Sequence, residues 1–431
     1  MTAGTMVNAY IPGQGALSPE AQALVDRRAR LLGPAYRLFY ETPVHLVRGE
    51  GVWLYDAEGQ AYLDCYNNVA SVGHCHPRIV AATAAQAATY ASHTRYLNDV
   101  VLDYAEQLLA TFPPELSHVM FTCTGSEAND LALRIAFAET GGTGVIVTEN
   151  AYHGVTLATS ALSPSLGPGV SLGAHVRTIP APADPARFAA DVAAAAADLA
   201  RHGIQPAALL VDTVFSSDGV YADPPGFLAP AAQAIRDAGG LFIADEVQPG
   251  FARTGSHFWG FQRHGVLPDM VSLGKPMGNG YPVAGLVMQP RVIARFGSKA
   301  RYFNTFGGNA VAAATARAVL DVIRDEGLQQ NAATTGAYFR DSLLDLARRH
   351  DGLGPLRAAG LFLGQDIVTD GRPDAGRAAR VVNRMRQARV LISATGAQGH
   401  VLKIRPPLTF GREHVDRVIE ALDQALEAEF S

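Results

Sequence analysis

The sequence predicts an α/β protein with one large, mostly parallel sheet followed by a smaller α+β unit. Between residues 117 and 288, seven short apolar runs alternate with amphipathic helical segments. This alternation is typical of strands that are buried on both faces and joined by helices. Two of the runs lead into charged residues, one at Asp245 and one at Lys275. Beyond Gly308 the helical segments lengthen and the apolar runs become rare, which indicates a second domain.

The first 60 residues are expected to form an N-terminal arm and a hairpin that pack with the small domain. Alternating apolar residues predict the strands of the hairpin, and a turn signal begins at Asp56. Pro77 lies near the start of the first helix beyond the arm. The predicted elements are a helix at 18–32, strands at 44–47 and 52–55, and helices at 77–93 and 99–111.

Residues 61–308 are expected to form the large domain around the seven-stranded sheet. Each apolar run has the length of a buried strand, and each intervening segment has helical spacing. The predicted strands are 118–123, 145–148, 176–179, 208–211, 241–244, 270–273 and 283–288. The predicted helices that cover this sheet are 126–139, 185–201 and 225–238.

Residues 309–431 are expected to form the smaller α+β domain. Long amphipathic patterns dominate this part of the chain, and only two short apolar runs interrupt them. The predicted helices are 309–326, 331–350, 374–388 and 412–429, and the predicted strands lie near 360–367 and 391–392.

Composition argues against several classes of protein. With a net charge of −5 and a pI near 6.2, the chain has no basic stripe, so neither nucleic acid nor an acidic membrane surface is an expected partner. No secretory signal and no membrane-spanning apolar run is recognised, which favours a cytoplasmic protein. Cys65, Cys75 and Cys123 are expected to be free thiols. His74 and His76 flank Cys75, but adjacent ligands do not readily converge, and we expect no metal site.

The stretch that ends in Asp245-Glu246 has two interpretations. An apolar strand ending in acids resembles the Walker B strand of an ATPase. That reading requires a phosphate-binding loop of the form G-x-x-x-x-G-K-[ST], whereas Gly274-Lys275 is followed by Pro276 and has no glycine at the required spacing. The ATPase interpretation is therefore disfavoured.

The same residues are consistent with pyridoxal phosphate as cofactor. Its carbonyl condenses with a lysine amine, and its ring nitrogen must stay protonated for the ring to accept negative charge. Lys275 supplies the amine, and the carboxylate of Asp245 supplies the partner for the ring nitrogen. These two residues are the predicted catalytic residues.

Three further motifs fit such a site. Gly125 and Ser126 stand at a strand-to-helix junction, where free backbone N–H groups and the serine hydroxyl suit a phosphate. Tyr152-His153 follows the next strand and offers an aromatic face to a planar ring. Thr305, before a glycine-rich helix start, is a further candidate phosphate donor. Taken singly, these motifs also fit a helix cap, side-chain packing and an interdomain linker.

Together these motifs resemble the class III aminotransferase family over nearly the whole chain. The sequences that carry the resemblance are Thr124-Gly-Ser-Glu-Ala-Asn, Ala151-Tyr-His-Gly, Asp245-Glu-Val-Gln-Pro-Gly-Phe-Ala-Arg-Thr-Gly, Leu273-Gly-Lys-Pro-Met-Gly-Asn-Gly and Thr305-Phe-Gly-Gly-Asn. The resemblance implies the fold-type I architecture and a homodimer with active sites at the subunit interface. It also implies cofactor contacts from Gly125, Ser126, Tyr152, Val247 and Gln248, and from Thr305 of the other subunit.

Within the family, the chain is most similar to the phospho-lyase branch. This similarity rests on segments such as Tyr62-Leu-Asp-Cys-Tyr-Asn-Asn-Val-Ala and Leu402-Lys-Ile-Arg-Pro-Pro-Leu. Many aminotransferases of the family have a Glu-Pro-x-x-Gly-Glu stretch, whose second glutamate pairs with an arginine. Here Asp212 takes the place of the first glutamate, Ser217 that of the second, and Lys403 that of the arginine.

The resemblance therefore implies a lyase that removes phosphate and ammonia from O-phosphoethanolamine or a related phosphorylated amine. Lys275 is expected to remove a proton from the carbon beside nitrogen, after which phosphate leaves the neighbouring carbon. Two alternatives stay open, an ω-aminotransferase that uses a keto acid and a cofactor-bound sensor without turnover. The candidates for binding the substrate phosphate are Arg405, Lys403, Arg37 and Asn68.

Overall fold

The computed structural model describes residues 6–430, and its first part is one exposed helix, a small antiparallel sheet and two further helices. Helix α1 begins after Ser18, whose hydroxyl accepts a hydrogen bond from Ala21 N at 3.2 Å. The first five residues of the predicted arm, and Ser431, lie outside the described residues. The elements of this part are α1 (Pro19–Leu32), β1 (Leu46–Glu50), β2 (Trp53–Asp56), β3 (Ala61–Asp64), α2 (Pro77–Thr89) and α3 (Asp99–Leu109).

The predicted seven-stranded sheet is confirmed. Its strands are β4 (His118–Thr122), β5 (Gly144–Thr148), β6 (Val176–Ile179), β7 (Pro206–Asp212), β8 (Leu241–Asp245), β9 (Met270–Leu273) and β10 (Ala284–Met288). They lie in the order β4-β10-β9-β8-β7-β5-β6, and β10 is antiparallel to both of its neighbours while the other pairings are parallel. The central strand β8 is buried along its whole length, as expected for a sheet covered on both faces.

Helices cover this sheet, and two of them begin later than predicted. They are α4 (Gly125–Thr140), α5 (Leu157–Ser160), α6 (Phe188–Arg201), α7 (Leu228–Asp237) and α8 (Pro290–Lys299). The predictions for α6 and α7 began at Pro185 and Pro225. In the structure Pro185 lies in a turn closed by a hydrogen bond from Arg187 N to Asp184 O at 3.1 Å, so the helix starts only after this turn.

The C-terminal part contains more strands than predicted. Its elements are α9 (Ala310–Asp325), α10 (Leu328–Ala347), β11 (Leu353–Ala359), β12 (Phe362–Thr369), β13 (Arg372–Pro373), α11 (Ala375–Gln387), β14 (Val390–Leu391), β15 (Ser393–Thr395), β16 (Val401–Ile404) and α12 (Arg412–Phe430). The predicted strand near 360–367 is one arm of an antiparallel hairpin, and its sheet runs β11-β12-β16-β15. Strand β16 was not predicted, because Lys403 interrupts its short apolar run.

The N-terminal hairpin lies against the C-terminal part of the chain. Strand β3 pairs in parallel with β14, which places both in one four-stranded sheet. The hydroxyl of Tyr40 also donates to Ile392 O at 3.0 Å. We propose the division at residues 60 and 308 on this basis. Within residues 6–430, no helix combines the length and the apolar character needed to cross a membrane.

The histidines beside Cys75 have separate partners. His74 Nε2 lies 2.7 Å from Asp64 Oδ2, and His76 Nε2 lies 3.0 Å from Glu326 Oε1. The three cysteines are free, with Cys65 buried and Cys75 exposed. His74 therefore pairs with an acid ten residues earlier, whereas His76 connects two segments that are 250 residues apart.

Candidate active site

A cavity of about 330 Å³ opens at the carboxyl ends of the parallel strands β7, β8 and β9. Asp212 and Asp245 end neighbouring strands in register, and Gly274-Lys275 directly follows β9. Ligands of open parallel sheets bind at this edge, because the loops that leave the strands converge there. The structure brings most of the predicted cofactor residues to this cavity: Gly125, Ser126, Tyr152, His153, Asp245, Val247, Gln248 and Lys275.

Asp245 is buried and receives three hydrogen bonds. His153 Nδ1 lies 2.7 Å and Asn129 Nδ2 2.8 Å from its Oδ2, while Val247 N donates to its Oδ1 at 3.1 Å. Burial raises the pKa of this carboxyl, but the hydrogen bond and charge of His153, with the other donors, lower the pKa below its ordinary value. Asp245 is therefore held as an anion on the floor of the cavity.

His153 is directed at Asp245 rather than into open space. Its side chain is almost fully buried, and its backbone N–H donates to Ser163 Oγ at 2.9 Å. Asn129 joins the same cluster, because its amide also donates to the carbonyl of His153 at 2.9 Å. His153 and Asn129 thus fix the orientation of the carboxylate.

Lys275 is only partly exposed, and its amine has a lowered pKa. Burial disfavours the charged form, and the nearby positive charge of Arg405 adds to this effect, so the pKa falls to about 8 despite the opposing charges of Asp245 and Asp212. In the described chain, Lys275 belongs to no ion pair. A large share of this amine is neutral near pH 8, and a neutral amine is the nucleophilic form.

The start of α4 leaves two backbone donors free. Thr124 and Glu127 form a capping box, in which Glu127 N donates to Thr124 Oγ1 at 3.2 Å and the glutamate accepts from Cys123 N and Thr124 N. The N–H groups of Gly125 and Ser126 have no partner among the described residues. Because they stand at the positive end of a 16-residue helix, they suit an anion such as phosphate.

Close packing explains why glycine stands at position 125. A Cβ added to Gly125 would lie 2.7 Å from Val247 Cγ2, and one added to Gly274 would lie 3.1 Å from Val247 Cγ1. The valine side chain therefore fits against two backbone segments that lack side chains. Tyr152 lines the same cavity, where burial and the charge of Asp245 raise the pKa of its phenol.

A second cavity of about 410 Å³ shares Lys275 and Val69 with the first. Arg405 lines it and is only 6% exposed; its guanidinium lies 4.4 Å from the ring centroid of Tyr66. Nη1 of Arg405 donates to Gln248 Oε1. Of the predicted phosphate-binding residues, Arg37 and Asn68 also line this cavity.

Two predicted site residues line neither cavity. Lys403 is buried close to Lys275 and Arg405, where burial and the charge of Arg405 hold the pKa of its amine well below the ordinary range. Thr305 is exposed on the surface. A contact from Thr305 to the other subunit's cofactor stays a prediction.

Sequence reasoning assigned no contact in the site to four residues that the structure places there or beside it. Asp212 lines the first cavity, and its position at the end of β7, beside Asp245, was the available signal. Asn129 Nδ2 donates a hydrogen bond to Asp245, but nothing in the sequence distinguishes Asn129 from an ordinary helix residue. Tyr66 and Ser216 lie in loops and reach the site only through the folded backbone.

Residues 39–426 match the family model described as aminotransferase class III. The chain belongs to the class III aminotransferase family. Its architecture is fold type I, and its cofactor is pyridoxal phosphate, as the resemblance implied. The donors of the site fit this cofactor, because a weakly basic lysine, an ionised acid and free helix N–H groups surround one cavity.

Solved structures and relatives of this class III enzyme include both lyases and aminotransferases. A phospholyase from Arthrobacter, solved in complex with phosphoethanolamine, is 43% identical with a TM-score of 0.91, covering 94% of this chain and 99% of that one. Ethanolamine-phosphate phospho-lyase homolog 1 of Caenorhabditis elegans is 35% identical, covering 94% and 93%. Alanine–glyoxylate aminotransferase 2-like of Drosophila melanogaster is 40% identical, covering 94% and 87%.

The lowered pKa of Lys275 predicts how cofactor attachment depends on pH. In cofactor-free protein, the rate of covalent attachment of added pyridoxal phosphate should rise with pH through about 8 and level off above it, because the neutral fraction of the amine follows this titration. Stopped-flow absorbance from pH 6.5 to 10 measures the profile. A rate that keeps rising up to the ordinary lysine pKa of roughly 10.4 would contradict the burial of this amine.

Proposed function

We propose that this enzyme is a phospho-lyase that eliminates phosphate and ammonia from O-phosphoethanolamine, or from a related phosphorylated amine, to give an aldehyde. With phosphoethanolamine and water, the products are acetaldehyde, ammonia and phosphate. The observation that supports this proposal is the charge of the site. Arg405 is buried close to Lys275 and Lys403, and within residues 6–430 its guanidinium forms no ion pair.

This unpaired positive charge favours a substrate that carries a strong anion. A buried cation is costly unless an opposite charge compensates it. A phosphate dianion provides this compensation, and a guanidinium binds it with paired hydrogen bonds. Arg405 is well placed for this role, because its cavity adjoins Lys275. Arg37 stands at the exposed side of the same cavity, where it adds a second positive charge.

We assign the cofactor contacts from the cavity. Gly125 N and Ser126 N would bind the cofactor phosphate, Asp245 would pair with the ring nitrogen, and Lys275 would attach to the carbonyl carbon. Tyr152 and Val247 line the same space and would contact the faces of the ring. When bound, pyridoxal phosphate supplies a ring that stores the negative charge left on carbon after a proton is removed.

The residues of the chain then carry out proton transfer and charge control. The substrate amine would displace Lys275 from the carbonyl carbon, and the freed Lys275 Nζ, a buried amine whose pKa is lowered, would remove a proton from the carbon beside the substrate nitrogen. Asp245 stays ionised and stabilises positive charge opposite it. Arg405 neutralises the phosphate that leaves the neighbouring carbon with the electrons of the C–O bond. The resulting enamine is hydrolysed by water to acetaldehyde and ammonia.

An aminotransferase reaction with a keto-acid acceptor is the second candidate. The 40% identity to a Drosophila relative named as an alanine–glyoxylate aminotransferase favours it. The site argues for the lyase, because Ser217 places no carboxylate at the position of the family's second glutamate. The backbone carbonyl of Ser217 accepts hydrogen bonds from Asn150 Nδ2 and Thr395 Oγ1, and its side chain adds no negative charge.

An assay without any keto acid distinguishes the two reactions. Purified holoenzyme with phosphoethanolamine alone is expected to release phosphate and acetaldehyde in equal amounts over many turnovers. Ethanolamine, which lacks the leaving group, is the matched control and should give neither product. Turnover only after addition of pyruvate or glyoxylate would contradict the lyase, and absence of any reaction with bound cofactor would favour a sensor.

We further propose a homodimer with shared active sites. Thr305 and Phe306 are exposed and lie beside the start of α9, so both are accessible to a second subunit. Their neighbours Tyr96 and Leu97 are also exposed, which adds apolar surface for an interface. A cytoplasmic location remains a prediction.

A further inference from the structure

Gln248 connects Arg405 to a buried serine. Its Oε1 accepts a hydrogen bond from Arg405 Nη1, and its Nε2 donates to Ser216 Oγ at 2.5 Å. The backbone carbonyl of Gln248 accepts from Asn68 Nδ2 at 2.8 Å. All four residues are buried, so water competes little for these hydrogen bonds. Each end of the Gln248 amide thereby has a protein partner, and its NH₂ group keeps a second N–H.

Ser216 is held firmly in place. It is fully buried, and its backbone N–H donates to Asp212 Oδ2 at 3.1 Å, while its carbonyl accepts from Thr395 Oγ1 at 3.2 Å. The preceding Phe215 has a φ of 51°, in the left-handed region that non-glycine residues rarely adopt. Asp212 also accepts from Val214 N at 3.0 Å, so one carboxylate shapes this turn. The hydroxyl of Ser216 is therefore held in a fixed position in the turn that follows β7.

The neutral amide of Gln248 orients Arg405 without cancelling its charge. A carboxylate in the same place would form an ion pair and leave the guanidinium less available to a substrate anion. The ring of Tyr66 supports the guanidinium on another side, again without a negative charge. Nε of Arg405 is buried and has no hydrogen-bond partner within residues 6–430. The guanidinium thus keeps donor capacity and full charge for a ligand.

We propose that Ser216 and Gln248 are positioning residues that fix the Arg405 guanidinium for the phosphoryl group of the substrate. This inference rests on the proposed phospho-lyase function and assigns the residues that prepare its anion site. Gln248 acts by its amide geometry, and Ser216 acts through Gln248 without touching the substrate. The chain of contacts runs from the turn after β7, through the loop after β8, to the residue after β16.

Ser216→Ala tests the connection with inorganic phosphate as the probe. Removal of the hydroxyl leaves Gln248 Nε2 buried without an acceptor, so the amide reorients and Arg405 loses its fixed position. In titration calorimetry of the holoenzyme, the Kd for phosphate is expected to rise about tenfold. In the lyase assay, KM for phosphoethanolamine should rise by a similar factor while kcat changes less. The amount of bound cofactor should stay unchanged, because Lys275, Asp245 and the N–H groups at the start of α4 are not altered.

Gln248→Glu separates orientation from charge. A carboxylate at this position still accepts hydrogen bonds from both Ser216 and Arg405, so the geometry is kept while the guanidinium is neutralised. Phosphate affinity should again fall, by at least about tenfold. Thr315→Val is the matched control for loss of a buried hydroxyl, because Thr315 bonds to Val311 O in α9, outside the site. It should leave Kd and KM unchanged.

Each outcome has one meaning. Suppose that the wild-type enzyme binds phosphate and releases it from phosphoethanolamine, and that Ser216→Ala has the same Kd and KM. This result would overturn the positioning role and leave the lyase function intact. A parallel loss in Thr315→Val would also overturn it, because the effect would then be general destabilisation. If wild type releases no phosphate from phosphoethanolamine and binds no inorganic phosphate, the proposed function fails, and the positioning role fails with it. Selective losses in the Ser216 and Gln248 variants support the proposal.

Discussion

Lys275→Ala is expected to lower kcat by about 10⁴-fold and to abolish covalent attachment of the cofactor. Lys275 is the lysine that lines both cavities, and its lowered pKa provides a neutral amine near pH 8. Alanine removes both the attachment point and the base, so two functions are lost at once. Activity with phosphoethanolamine and the absorption spectrum of the bound cofactor measure these two losses separately.

The lysine content of the chain makes this test unusually clear. The sequence contains three lysines, Lys275, Lys299 and Lys403. Lys299 ends α8 on the surface, so Lys299→Ala is the matched control and should keep full activity. Lys403 is buried beside the site and is the other candidate for attachment. Borohydride reduction and peptide mapping would contradict the assignment if they located the cofactor on Lys403 in the wild-type enzyme.

The sequence predicted the large sheet well because most residues of its short strands are apolar and helical segments separate the strands. Strands β6 and β9 match their predicted bounds, since charged or turn-forming residues flank them. The C-terminal sheet was harder to predict, because β16 is a four-residue strand that carries Lys403 and lies outside the regular strand–helix alternation of the large domain. A buried lysine breaks an apolar pattern, so the strand that leads to Arg405 was not recognised. The buried lysine near the site therefore prevented the prediction of β16, the strand that precedes Arg405.

The parts of the site that were predictable are those that one local segment determines. Asp245 ends β8, Lys275 follows β9 of the same sheet, and Gly125-Ser126 starts a helix, so strand order and capping rules suffice for them. The contact between Gln248 and Ser216 joins two loops, and Arg405 arrives from a third element. Sequence spacing carries no information on such contacts, because the folded backbone alone brings the loops together.

Asp245→Asn is the second change with a large expected effect, a decrease in kcat of about 10³-fold. Asp245 is held as an anion by His153, Asn129 and Val247 N, and the amide removes that charge. An asparagine NH₂ group would also face donors that now point at an oxygen. The ring nitrogen then loses the partner that keeps it protonated. A shifted cofactor absorption maximum together with the decrease in kcat measures both consequences.

Glu246→Gln is the control for this change, because the two acids are adjacent but serve different sites. Glu246 is fully buried and accepts from Thr213 Oγ1, Gly260 N and Phe261 N at 2.7 to 2.8 Å, away from the cavity. Its replacement should lower Tm by a few degrees and leave the cofactor spectrum unchanged, since one amide N–H would face Gly260 N. If Glu246→Gln altered the spectrum as strongly as Asp245→Asn, loss of packing rather than loss of charge would explain both variants, and Asp245 would have no specific role at the ring.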